Sequence, residues 1–518
     1  MYRESEDSRK TLGDIDVVYQ NGVYHLFHLV LPNHDYIAHA VSNDCIRWRR
    51  VENALFIGHP GAWDDLMLWT VHVSRHPSQP GRWRMFYTGL SRREQGSIQR
   101  IGLAESDDLF TWKKSPVNWT DRRSKLPYDL PARPPQPSFA YDQHSCFPLE
   151  AQSPHYESSL DQGRHWISWR DPFYFRDADT GYLFCAGRVA DGPIVRRGCV
   201  ATMEESKENC FRVAAPLHHP GMYDDIEVPN LLKINGRYYL IGSIREDAKV
   251  RYWYADKLGN SWCSPSDNVL IGSGNYAGRV TDDDSGFLFW SFFSRDAQRA
   301  TQNLMPPPKR ICANSAGGIE LRTYEGFDKL IIAKVQFSKF CPLIKTEEQK
   351  ECVANEEQIT LRSNNHFQIF AIQEHLSCFR FQTQLRIGST GKCGLCFRLD
   401  DETRDGYYLS LDLHKGVAQL RLWGTNRSVQ GEKMMHFSTL QNGYWVVNRS
   451  EPTAISLIAH GSYIELSVDN RVILSLADQT FSAGALGVYL ESASVELFNP
   501  TLEKLESPVQ SDEHLAVG

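Results

Sequence analysis

The sequence predicts an all-β protein, a five-bladed β-propeller followed by a C-terminal β-sandwich. Three observations carry that expectation. Aromatic residues make up 12% of the 518 residues, with 13 Trp and 22 Tyr, and such side chains favour pleated surfaces. Helical periodicity is scarce. One kind of short aromatic strand recurs five times, each time just behind a glycine.

The five copies are Val23–Phe27, Trp83–Tyr87, Tyr182–Cys185, Tyr238–Ile241 and Phe287–Trp290, behind Gly22, Gly81, Gly181, Gly236 and Gly286. Each reads as a turn followed by a strand. A second element trails the first two copies. Ala40, Ser42, Asp44 and Trp48 share the spacing AxSxDxxxW with Ala104, Ser106, Asp108 and Trp112, and Tyr254-Ala255-Asp256 with Trp262 is a looser echo. Sheet units repeated at intervals of tens of residues are the mark of a propeller. Residues 1–340 are therefore expected to form the propeller, with the Pro-rich stretch Pro127–Pro137 as a loop over one face. Beyond Lys345–Glu351 the pattern becomes plain alternation, as in Phe379–Leu385 and Tyr407-Tyr408-Leu409-Ser410-Leu411. Residues 341–506 are expected to be the sandwich and residues 507–518 a tail.

Composition excludes several classes. Lys and Arg total 56 and Asp and Glu 63, a net charge of −7 that offers no bulk attraction to nucleic acid or to an anionic membrane. Hydrophobic residues at 41% and charged residues at 23% are ordinary for a globular chain, not for a disordered or fibrous one. No apolar run is long enough for a membrane span. The opening MYRESEDSRKTLGDID lacks the apolar stretch of a secretory signal, so a cytoplasmic location is expected, or a secreted one if a signal precedes this numbering. Twelve cysteines are too few for a disulfide scaffold, and Cys393 and Cys396 lack a second pair at metal-ligand spacing. They read as buried thiols. The sequons at Asn118, Asn426 and Asn448 are short enough to arise by chance. No metal or cofactor is expected, and nothing in the sequence sets an oligomeric state.

A propeller gathers the inner strands of all its blades around one axis, so acids at equivalent blade positions can converge. Three segments qualify: Gly13-Asp14-Ile15-Asp16 entering blade one, Trp169-Arg170-Asp171-Pro172 entering blade three, and Asp225-Ile226-Glu227-Val228-Pro229 entering blade four. Each acid precedes its turn glycine by a similar stretch and stands among apolar or aromatic neighbours. An acid there is costly to bury unless it is paired or functional. Asp14 has the better spacing and Asp16 competes, since residues two apart on a strand face the same way.

These segments resemble glycoside hydrolase family 32, the β-fructofuranosidases, inulinases and levanases, a group similar in fold to family 68 and more distantly to family 43. Arg170-Asp171-Pro172 matches the family's Arg-Asp-Pro motif, and Glu227-Val228-Pro229-Asn230-Leu231 resembles its Glu-Cys-Pro-Asp-Leu motif. Val18–Phe27 resembles the strand after its nucleophile. Trp63-Asp64-Asp65 with Trp69-Thr70, and Tyr87–Ser91, resemble pocket-lining segments of its second blade. The common Trp-Met-Asn-Asp-Pro-Asn-Gly motif is absent, and Gly13-Asp14-Ile15-Asp16 stands in its place.

The resemblance implies a retaining hydrolase of β-fructofuranosidic bonds acting on sucrose, fructo-oligosaccharide or fructan, with possible fructosyl transfer. Asp14 would be the nucleophile and Glu227 the acid/base, holding its proton in an apolar or like-charged setting. Asp171 would stabilise the transition state, with Arg170 fixing its carboxylate. Asp16, Asp65, Trp69, Arg170 and Trp290 would bind substrate, although Trp69 and Trp290 suit propeller core packing equally well. His28, His39 and His72 are read as hydrogen-bonded structural residues, and Asp282-Asp283-Asp284 as a solvated turn. Two alternatives stand beside this reading: an inverting arabinan- or xylan-type glycosidase on the same fold, and a non-catalytic carbohydrate-binding propeller.

Overall fold

Each recurring aromatic strand is the second strand of a blade. The computed structural model describes residues 1–4, 9–115, 118–119, 146–147, 149, 153–259, 261–294, 303–336, 340–345, 350–354, 357–388, 391–426 and 434–508. The chain is mostly β, 61% strand and 3% helix, and forms a five-bladed propeller and a nearly closed, sandwich-like sheet. It divides into two compact units, Tyr2–Ile319 and Glu320–Gly518, the latter grouped with Met1. Pro127–Pro137 and residues 509–518 of the expected tail lie outside the described residues.

The blades start on the inner strands Thr11–Gln20, Met67–Arg75, Arg170–Asp177, Glu227–Ile234 and Asn275–Asp283. Each pairs antiparallel with the strand behind it. In blades one and four the connection is a two-residue Asn-Gly turn, with φ of 51° and 83° at Asn21 and Gly22 and the same values at Asn235 and Gly236. Both residues of that turn need left-handed backbone, which glycine adopts without cost and asparagine tolerates. The second strands are buried along almost their whole length, Trp83–Leu90 without a break, because neighbouring blades cover both faces. That is why they read as continuous apolar and aromatic runs.

The AxSxDxxxW repeat is a turn motif behind the third strand. Ser42 Oγ accepts from the amides of Asp44 and Cys45, Asp44 Oδ1 from those of Ile46 and Arg47, and Trp48 Nε1 donates to the Cys45 carbonyl. Ser106, Asp108 and Trp112 repeat every one of these bonds in blade two.

Blade one is built from a single continuous stretch, so the ring closes through side chains and one isolated backbone bridge. Thr281 donates to the Val17 carbonyl, and Tyr19 and Tyr24 donate to Asp284 and Asp283. Tyr2 bridges to Met305, and its hydroxyl meets His28 at 2.9 Å. Asp283 also takes Arg310 at 2.9 Å, so the acidic turn is fastened on one side.

All five inner strands share one irregularity. Pairing slips between Leu12 and Ile15, Trp69 and Val71, Arg170 and Phe173, Glu227 and Asn230, and Tyr276 and Arg279. Asp171, Val228 and Ala277 sit within these slips at φ of 60°, 49° and 50°, a left-handed backbone that non-glycine residues rarely adopt. A β-bulge re-aims the side chains beside it. Five bulges at equivalent positions turn five sets of side chains toward one place.

In the second unit the long strands Gln358–Leu376 and Gly484–Leu505 pair with each other and with several partners, which bends one sheet around an apolar core. Phe379, Phe381, Leu395, Phe397, Leu457 and Leu497 are wholly enclosed there. Cys393 belongs to this core and Cys396 to a separate apolar cluster. No helix among the described residues is long and apolar enough to cross a membrane.

Candidate active site

The bulges of blades one, three and four deliver Asp14, Asp171 and Glu227 to a single chamber of about 210 Å³. Blade one also contributes Gly13, Leu29, Leu31 and His34 to its lining, and blade two contributes Trp69 and Thr70. Arg170 and Val228 line it as well, and Tyr276 and Phe292 close it from blade five. Trp69, Arg170 and Glu227 also line a larger adjoining chamber of about 640 Å³, with Gln99, Trp166 and Arg245. Carboxylates with one apolar wall and an adjoining open chamber suit a small polar ligand bearing a longer extension.

The acids differ in setting. Asp14 accepts a hydrogen bond from the Thr70 hydroxyl. Burial, then the repulsion of Asp171 and Glu227, push its carboxyl up to about 7, against the pull of Thr70 and Arg279. Asp171 is almost fully buried; one of its oxygens accepts from the Val228 amide at 3.1 Å, and its own amide donates to Thr88 Oγ1 at 3.1 Å. Glu227 keeps 14% of its side chain exposed. One of its oxygens takes Arg170 Nη2 at 2.7 Å, and the other accepts from the Tyr276 hydroxyl.

Arg170 sits between several acids. Its Nη2 lies 3.3 Å from Asp225 as well as 2.7 Å from Glu227, while its Nε is 3.6 Å from Asp171. Asp225 is held in turn by Arg164 at 2.8 Å and Ser168 at 3.3 Å. Burial pushes Asp225 up, but Arg170 and Arg164 outweigh it and hold the carboxyl below its ordinary value.

The other sequence-derived candidates separate into two groups. Trp69 and Arg170 line both chambers. Asp16, Asp65 and Trp290 do not. The bulge between Leu12 and Ile15 splits Asp16 from Asp14, so alternation does not carry both into the pocket. Asp16 is sealed, accepting from the Val73 amide at 2.7 Å and facing His72 at 3.5 Å. The carboxylate of Asp65 fastens a loop through the amides of Gly61 and Arg92, both at 2.8 Å. Trp290 lies on a second strand, buried edge-on against Tyr24 and Trp48, because that strand packs between blades and not along the axis. His28 and His39 are buried with Tyr2 and His25 as partners. Thr70, in a segment whose resemblance implied pocket lining, does line the chamber. Tyr276 and Arg279 belong to the site although the sequence did not single them out, since neither is an acid at a strand entrance. Among the described residues no group of three or more His, Cys, Asp or Glu is placed to hold a metal.

A five-bladed propeller with three carboxylates and an arginine at its funnel floor defines a class, the propeller glycosidases. Residues 12–190 match the model described as the glycosyl hydrolases family 32 N-terminal domain, and the protein is a glycosidase. Among solved structures it is similar to the sucrose-6-phosphate hydrolase of Lactobacillus gasseri, at 16% identity and a TM-score of 0.65 over 96% of this chain and 91% of that one. It is similar to the fructan 1-exohydrolase IIa of Cichorium intybus, at 14% identity and a TM-score of 0.64 over 96% and 95%. The family 32 β-fructofuranosidase BmSUC1 of Bombyx mori gives 14% identity and a TM-score of 0.61 over 96% and 91%. At such identities the likeness is one of fold. No curated protein matches the chain in sequence.

Proposed function

We propose that the protein cleaves β-fructofuranosidic bonds in sucrose or fructo-oligosaccharides by a retaining mechanism with Asp14 as nucleophile and Glu227 as acid/base. The observation that carries this reading is the convergence of Asp14, Asp171 and Glu227 on one chamber from three blades. The family 32 domain match over residues 12–190 supports it, as do structural relatives whose complexes hold 1-kestose and fructosylnystose.

In the first step Glu227 gives its proton to the glycosidic oxygen while ionised Asp14 attacks the anomeric carbon, so the leaving sugar departs as an alcohol. Asp171 accepts hydrogen bonds from ring hydroxyls and offsets the positive charge that develops on the sugar. In the second step Glu227, now a carboxylate, takes a proton from water as the water displaces Asp14 and releases free fructose with its original configuration. A sugar hydroxyl in the larger chamber competes with water for the same intermediate, which makes transfer a side reaction of the same site.

Product analysis on sucrose, 1-kestose, inulin-type and levan-type oligosaccharides tests the proposal, with Glu227→Gln and Asp14→Asn as controls. Expected are fructose release with retained configuration and a loss of about 10³-fold or more in both variants. Near-normal turnover in Glu227→Gln, or an inverted product, defeats the assignment.

A further inference from the structure

Arg279, on the inner strand of blade five, is fully buried. Its Nη2 donates to the carbonyls of Val71 and Pro172, both at 3.0 Å, and its Nη1 to that of Pro229 at 3.2 Å. Its Nε faces Asp16 Oδ1 at 3.6 Å. One side chain from blade five thus touches the inner strands of the other four.

The three carbonyls are not scattered. Val71 closes the bulge of blade two and follows Thr70, the residue that donates to Asp14. Pro172 follows Asp171 inside the bulge of blade three, and Pro229 lies inside the bulge that begins at Glu227. A bulge leaves ladder groups unpaired, and a buried carbonyl without a donor is costly. Arg279 supplies that donor in three blades at once, with the fixed planar fork that only a guanidinium offers.

We propose that Arg279 is a positioning residue for the reaction, fixing the bulges that aim Thr70, Asp171 and Glu227 and presenting one buried positive charge to the carboxylate cluster. The charged and titratable groups around it are Asp14 and Asp16 from blade one, His72 behind Asp16 from blade two, and Asp171 from blade three. The Phe173 ring lies beside the guanidinium at 5.9 Å. Arg279 also opposes the upward push that burial and like charge exert on Asp14, which gives its charge a measurable consequence.

Two variants separate its duties. Arg279→Lys keeps the charge but cannot bridge three carbonyls, and Arg279→Met removes both. With 1-kestose as substrate, kcat is expected to fall about 10-fold in Arg279→Lys and about 100-fold in Arg279→Met, with KM changed by no more than about threefold. The acidic limb of kcat/KM should move up by about one pH unit in Arg279→Met and stay in place in Arg279→Lys.

The kinetic arm rests on the fructosidase reading, so a second arm uses no substrate. The pH window over which the unfolding temperature falls, as ionised Asp14 loads the native state, should extend upward in Arg279→Met and not in Arg279→Lys. A wild-type protein inert toward 1-kestose would sink the fructosidase reading and leave this second arm to decide. The inference is overturned by a kcat within about threefold of wild type in both variants, or by an unmoved pH window in Arg279→Met beside a uniform drop in unfolding temperature. Should Arg279→Met not fold, the split between kcat and KM in Arg279→Lys decides the matter.

Discussion

The guanidinium of Arg170 lies nearer to Glu227, at 2.7 Å, than to its own chain neighbour Asp171, at 3.6 Å. The bulge between Arg170 and Phe173 causes this, because it turns Asp171 into the left-handed region and away from the preceding side chain. The expected partnership of Arg170 with Asp171 is kept at 3.6 Å and joined by a closer one that links blades three and four. Arg170→Lys offers a single ammonium where Glu227, Asp225 and Asp171 now share a fork. Turnover should drop by about 10² or more, with Asp225 left buried beside a poorer partner and the unfolding temperature lowered as well. Steady-state kinetics and calorimetry on the one variant check both effects, and an intact kcat would remove Arg170 from the mechanism.

Asp14 gives a prediction whose sign can be worked out. Its carboxyl is pushed up to about 7 in the native state by burial and by Asp171 and Glu227, whereas in the unfolded chain it titrates near 3.8. Between those values the native protein holds a proton that the unfolded chain has lost, so stability falls as pH rises across that window. Below it the contribution is fully present. Asp14→Asn abolishes the titration. The variant should match wild type near pH 4 and exceed it in stability by a few kcal/mol at most near pH 8. Parallel curves of unfolding temperature against pH for the two proteins would contradict this. With Asp14 as the proposed nucleophile, which attacks only when ionised, the same titration should set the acidic limb of wild-type kcat/KM near pH 7.

The blades and the three acids were legible because each leaves a local trace. An Asn-Gly turn or a glycine marks every hairpin, and an acid among apolar residues at a strand entrance is conspicuous along the chain. What could not be read is whatever the bulges decide. Plain alternation puts Asp14 and Asp16 on one face, yet the slip after Leu12 sends one to the chamber and seals the other against Val73 and His72. Trp290 and Trp69 carry the same local aromatic signal, but only Trp69 stands on an inner strand. Blade five held a clue. Asn275-Tyr276-Ala277-Gly278-Arg279 occupies the place where blades one, three and four carry an acid, so a search for any polar residue at that position would have pointed to Tyr276 and Arg279.

Trp69 walls both chambers, and its buried indole Nε1 has no hydrogen-bond partner among the described residues. That nitrogen is itself closed off from solvent, so what Trp69 offers a ligand is the face of its ring. Trp69→Phe keeps an aromatic wall, so KM should stay within about threefold of wild type with kcat little changed. Trp69→Ala removes the wall and should cost roughly 10-fold in kcat/KM. Kinetics of Trp69→Ala equal to those of wild type would mean that the ring meets no sugar.

Tyr276 completes the setting of Glu227, because its hydroxyl donates to the carboxylate oxygen that Arg170 does not hold. Burial, and then the charge of Glu227, push the tyrosine hydroxyl well above its ordinary range, so it stays a neutral donor at every working pH. With both oxygens engaged, Glu227 has one fixed orientation, as its proposed role of proton donor requires. Tyr276→Phe frees one oxygen and should lower kcat on 1-kestose by about 10- to 100-fold while KM stays close to wild type. The leaving group distinguishes an acid-step defect from a general loss of shape. An aryl fructoside departs with little help from an acid, so Tyr276→Phe and Glu227→Gln should both recover most of their first-step rate on it, whereas a merely misshapen pocket would handicap both substrates alike. A Tyr276→Phe deficit of the same size on the aryl fructoside as on 1-kestose would show that the hydroxyl serves the fold of blade five and not proton transfer.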